Sequence, residues 1–183
     1  MRKMGASRQA VARMTSFIAE AQRSGTTTAL RNLGLGDCVG KAPSEVLGRL
    51  LDVMCPVGGT IDEGIAREAF AWAAAEFAQQ DLPDIESLDA GQWTEFFVEL
   101  LSRSIELRVL EEIGAQSMQS AKDVDAIESC ERAAHSFIQA TVREAVSTTL
   151  GEFGSLSAEE IQSLGDRCFE QAFGIWEDME DEQ

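Results

Sequence analysis

Few residues in this sequence have the type and spacing that chemistry requires. His135 is the single histidine. That excludes a multi-histidine metal site and makes any Ser-His-Asp or Cys-His arrangement rest on one residue. On a helical stretch beside Ala134 and Phe137, His135 reads as an ordinary packed or half-exposed side chain rather than a catalyst. Glu131 and His135 stand four apart with no second histidine, so the Glu-x-x-His pairs of a di-iron bundle are absent. Cys38, Cys55, Cys130 and Cys168 are widely separated, with no C-x-x-C pair, and read as reduced thiols, most of them buried small hydrophobes. Gly34, Gly36 and Gly40 follow no strand and have the wrong spacing for a dinucleotide fingerprint; they read as a glycine-rich loop. Carboxylate pairs such as Glu95 with Glu99 arise by chance on any acidic helix, and mean acid–base work only where they line a cleft. These residues assign no catalytic, cofactor-binding or metal-binding site, and the expectation is a protein without a cofactor.

The elements that would position any site are helices. Pro is scarce, Tyr is absent, and β-branched residues never alternate. Val11, Met14, Ile18 and Ala21 mark a first amphipathic helix, and residues 25–40 read as a loop broken by glycines. Pro43 opens a helix carrying Val46, Leu47, Leu50, Leu51 and Met54. Cys55-Pro56-Val57-Gly58-Gly59 stops it, and Thr60 with Glu63 has the capping-box spacing for an alanine-rich helix over 61–79. Residues 81–89 connect to a helix from about Ala90 that is expected to end at Gly114. Its apolar residues, from Trp93 through Phe96, Phe97, Leu100 and Leu101 to Val109, cover most of the circumference and leave a polar strip of Glu95, Glu99, Arg103 and Glu106. A helix so patterned belongs at the centre of a bundle, and Glu99 to Arg103 has the favoured i,i+4 order. Residues 123–150 carry one apolar face that includes Phe137, Ile138, Val142 and Val146, and Ser157 with Glu160 opens a final helix running into an acidic tail. The fold class is all-α: an irregular bundle of about five to six helices with no sheet. Residues 1–42 form a basic helix and glycine-rich loop, and residues 43–183 an acidic helical bundle, within one globular unit.

Charge divides the chain in the same way. Residues 1–49 hold eight Lys/Arg against three Asp/Glu, and the remainder seven against 29, for a net charge of −17. An acidic body repels phosphate backbones, which argues against nucleic-acid binding. The basic head is expected to dock on an acidic surface, its own body or a partner's. No apolar run approaches the roughly 20 residues of a membrane span, and no secretory leader is visible, so the expected location is the cytoplasm and no membrane partner is expected.

Two stretches look familiar as wholes: residues 43–77, PSEVLGRLLDVMCPVGGTIDEGIAREAFAWAAAEF, and residues 93–114, WTEFFVELLSRSIELRVLEEIG. With the upstream GASRQAVARM they resemble the QatB component of the Qat anti-phage defence system, over roughly residues 5–150. The resemblance rests on patterned helices, not on a catalytic motif. It implies a non-enzymatic component encoded beside a P-loop ATPase, a QueC-like ATP-using enzyme and a TatD-like hydrolase. The QueC-like protein of the same operon would be the direct partner, with the ATPase and the hydrolase as further candidates. It also implies that this component is the protein substrate, with a deazapurine-type group attached at a processed glycine near its flexible N-terminus. The long Gly/Pro-rich region that the family pattern places ahead of GASRQAVARM has no counterpart in this sequence, so the modification is not carried onto Gly5.

Other classes stay open beside that resemblance. An acidic adaptor or antitoxin-like regulator unrelated to Qat fits the same composition. A binding module predicts no polar cleft and an exposed apolar strip, whereas an enzyme predicts His135 and carboxylates converging in a pocket. On the final helix Phe169, Phe173 and Trp176 form a second apolar stripe, displaced by about 100° from Ile161, Leu164, Cys168, Ala172 and Ile175. These three aromatics are the candidate docking surface for a partner or a second copy, the alternative being burial in the bundle.

Overall fold

The computed structural model describes residues 5–79, 84–117 and 124–147, together with 159, 160, 163 and 167. Those residues form six α-helices and two short 3-10 turns, with no strand among them. The helices are α1 (Gly5–Ser24), α2 (Thr26–Asn32), α3 (Pro43–Met54), α4 (Ile61–Gln79), α5 (Ala90–Ser117) and α6 (Val124–Ser147). The all-α expectation holds.

Local chemistry explains most of the boundaries. Pro43 sits in the first turn of α3, where its missing N–H costs nothing. Glu63 accepts from the Thr60 amide at 2.9 Å while the Glu63 amide donates to the Thr60 hydroxyl at 3.2 Å, so the expected capping box opens α4. Glu63 also folds back over Gly58, where an added Cβ would fall 2.0 Å from the carboxylate carbon, so a side chain there would displace the Glu63 carboxylate. A second reciprocal cap opens α5: Asp89 Oδ1 accepts from the Gln92 amide at 2.8 Å, and Gln92 Oε1 from the Asp89 amide at 2.9 Å.

The structure differs from the sequence expectation in two elements. Residues 25–40 are not one loop. Gly25, at φ +87°, breaks the chain for a single residue, and α2 then buries Thr26, Ala29 and Leu30. A 3-10 turn follows over Gly36–Cys38, flanked by Gly34 and Gly40, both with positive φ. In addition, α5 does not stop at Gly114 but continues to Ser117, with no proline to end it.

The core runs through α5. Trp93, Phe96, Phe97, Leu100, Leu101 and Ile105 are all at most 1% exposed, as a central helix requires. Phe17 of α1 meets Trp93 edge-on at 5.3 Å, and Phe70 and Phe77 of α4 meet Phe96 edge-on at 5.4 and 5.3 Å. Each such contact contributes about 0.5–1.5 kcal/mol beyond its buried area. Ala66, Ala69 and Ala73 are buried on α4, and their small size lets its backbone approach α5 closely. The basic head is engaged in the same assembly: Arg13 donates to the Met54 carbonyl at 3.0 Å, closing the C-terminal end of α3. Asp62 in the first turn of α4 caps α1 from outside, accepting from the Ala6 amide at 2.6 Å and from the Ser7 hydroxyl at 3.1 Å.

Candidate functional site

The side of α5 left over by the core builds the site. Helices α5 and α6 run antiparallel, and three polar rungs join them: Glu95 to Arg143, Glu99 to Gln139 and Glu106 to His135. The buried stripe Ile138, Val142 and Val146 holds α6 beside these rungs, and fixes which of its residues face α5. Phe137, assigned to that apolar face from the sequence, is instead 45% exposed. One position before Ile138, it lies about 100° round the helix from the buried stripe.

With α4 as the third wall, these helices enclose a cleft of about 790 Å³. Trp72 and Glu76 line it from α4, Glu95, Glu99, Arg103 and Glu106 from α5, and Arg132, His135 and Gln139 from α6. At its floor one carboxylate oxygen of Glu106 accepts from Arg103 Nη1 at 2.6 Å and lies 2.8 Å from His135 Nδ1. A carboxylate only accepts, so Nδ1–H is the donor, and in the neutral imidazole Nε2 would be the acceptor nitrogen. Glu106 is 6% exposed, Arg103 16% and His135 32%, a gradient from floor to mouth. Arg103 also stacks on Trp72, its guanidinium carbon 4.0 Å from the ring centroid. Planar and permanently charged, it satisfies the aromatic face and the carboxylate at once. Its choice of Glu106 corrects the expected Glu99–Arg103 pair: Glu99 accepts instead from the Gln139 amide at 2.9 Å.

The structure thus brings His135 together with Glu106, and the polar strip of α5 becomes a cleft wall. The expectation of a module without a polar cleft is overturned, and the convergence expected of an enzyme is present. Among the described residues a full catalytic set is not. The hydroxyl lining the cleft is that of Ser136, the residue after His135, which points about 100° away round the helix. Among the described residues no group of three or more His, Cys, Asp or Glu could hold a metal ion. Cys38 and Cys55 are buried free thiols, as expected. Burial pushes the Cys55 thiol up to about 11, against the opposing charges of Arg67 and Arg13, and its sulfur lies 3.5 Å from the Ala66 carbonyl. Phe169, Phe173, Trp176 and Cys168 lie outside the described residues, as does the Ser157 end of the second expected capping box; the side chains of Cys130 and Glu131 are likewise not described. The sequence reading missed Trp72, Glu76, Arg132 and Gln139 as site residues. The one local signal was the i,i+3 spacing of Arg103 and Glu106.

Among the described residues no helix is long and apolar enough to cross a membrane. A family model described as QatB, Qat anti-phage system associated protein, matches residues 1–176. No curated protein and no solved structure matches the chain. The family match sets aside the alternative of an adaptor or antitoxin-like regulator unrelated to Qat.

Proposed function

The chain belongs to the QatB family of Qat anti-phage system associated proteins, and from that premise we propose that it is a non-enzymatic, cytoplasmic binding component of bacterial anti-phage defence. It holds a QueC-like ATP-using partner of the same operon and serves as that partner's protein substrate through its N-terminal segment. The family match over residues 1–176 is the observation that supports this reading. Phe169, Phe173 and Trp176 are the proposed docking residues. The test is capture of the full chain from its native host during expression of the system, followed by intact-mass measurement. The expected result is co-recovery of the QueC-like protein and a chain mass different from that of the unmodified sequence. The double variant Phe173→Ala, Trp176→Ala should stay helical by circular dichroism and weaken capture by about tenfold. Recovery of neither partner nor mass change would sink the proposal.

A second reading has one observation in its favour, the His135–Glu106 pair in an open cleft. An imidazole oriented by a carboxylate is the general-base half of a hydrolytic site. The purified chain alone is expected to turn over neither ATP nor nucleic acid. Turnover that follows the protein through successive columns and vanishes in His135→Ala would establish the enzyme instead.

A further inference from the structure

We propose that the cleft between α4, α5 and α6 receives a basic side chain, Arg or Lys, carried by an extended segment of a partner protein. The chain itself shows what group the cleft accommodates. Arg103 lies with its guanidinium over Trp72 and against the buried carboxylate of Glu106, an aromatic face and an acceptor enclosing one cation. That cation is part of the wall, and a cavity of about 790 Å³ stays open beside it. Of the other carboxylates in the lining, Glu95 is paired with Arg143, and Glu99 and Glu76 have no cation among the described residues. Glu99 is held by a neutral amide, that of Gln139, and Glu76 makes no hydrogen bond or ion pair among the described residues. Trp72 stays 44% exposed beside them. Four carboxylates against two arginines, Arg103 and Arg132, leave the lining net negative within a chain of net charge −17, and that field concentrates cations at the cleft.

The shape selects a segment over a small free amine. From Glu95 to Glu106 the lining runs three turns of α5, about 16 Å at the helical rise. That length matches about five residues of extended chain, whose backbone would lie along the α5–α6 rungs while one side chain enters. The inference deepens the partner-binding reading and rests on it only in assigning the basic segment to a protein.

The test titrates the full chain calorimetrically with the blocked peptide GRGRG, with GEGEG and spermidine as parallel ligands. The expected result is saturable one-site binding of GRGRG alone. The double variant Glu76→Gln, Glu99→Gln should weaken it by about tenfold. A variant with the same charge change away from the cleft, Glu20→Gln with Glu45→Gln, should shift it by less than about twofold, as a screened surface effect would. If the cleft double variant unfolds, Glu76→Gln alone, at an exposed helical position, should weaken binding in the same direction. Absence of GRGRG binding, equal weakening by both double variants, or spermidine binding as tightly as the peptide would each overturn the proposal. No partner protein enters this titration, so its failure and the failure of the capture experiment are distinguishable.

Discussion

Glu106 carries more of the site than its single carboxylate suggests. It is nearly enclosed, and both Arg103 and His135 point at the same oxygen. Removing it would take from the Arg103 guanidinium the carboxylate to which it donates, leaving it on Trp72. Glu106→Ala is therefore expected to lower stability by about 2–3 kcal/mol in urea unfolding, since a charged group loses its partner in a mostly buried position. His135→Ala should cost about 1 kcal/mol or less, because His135 is the more exposed partner and Arg103 keeps the carboxylate satisfied. Equal losses from both variants would mean that the imidazole, not the guanidinium, is the main partner of Glu106. The sequence displayed the ionisable participants in this cluster, a lone histidine and an arginine three residues from a glutamate on the polar strip of α5, but not Trp72. It did not display their convergence. The rungs join residues 29, 40 and 48 positions apart, and that pairing depends on how α6 docks, which no local pattern specifies.

Helices with an apolar stripe or a cap were legible, and those with neither were not. Thr60 and Glu63 announce α4 because each satisfies an orphan amide of the other, and Pro43 announces α3. The pair Asp89 and Gln92 satisfies the same rule at α5, and with it α5 starts at Ala90, where the periodicity places it. α2 was missed because its seven residues contain three threonines in succession and follow a glycine, a composition that reads as a loop. What makes it helical is tertiary: Ala29 and Leu30, at 1% and 0% exposure, have a core to enter. The overrun of α5 past Gly114 shows only that a glycine permits a helix to stop without requiring it.

At the scale of the whole molecule, one cluster of buried apolar residues extends from Ala10 of α1 to Val146 of α6. The stability of such a bundle comes from side-chain packing and helix caps, so the expectation is that neither metal nor disulfide is required. Buried as a protonated thiol, Cys55 should resist oxidation and alkylation in the folded chain. The melting temperature is expected to change by less than about 2 °C with either EDTA or dithiothreitol. A larger fall with chelator or reductant would show that a ligated or cross-linked cysteine contributes to the fold. Charge at this scale was only partly legible. The sequence suggests a basic head seeking carboxylates, yet Arg13 finds the carbonyl end of α3 instead, a partner invisible to a count of charges.

The contact between Asp62 and the start of α1 fixes an anchor. With the Ala6 amide and the Ser7 hydroxyl both held by the first turn of α4, the chain enters the bundle at one corner and in one direction. Any flexible stretch joined ahead of Gly5 is then a tether whose pivot stays put while its tip explores the solvent. The root-mean-square reach of such a stretch grows only as the square root of its length, at about 5–6 Å times that root. Asp62 thereby sets the centre of the volume within which such a tip can be found, and so its local concentration for anything bound to the same bundle.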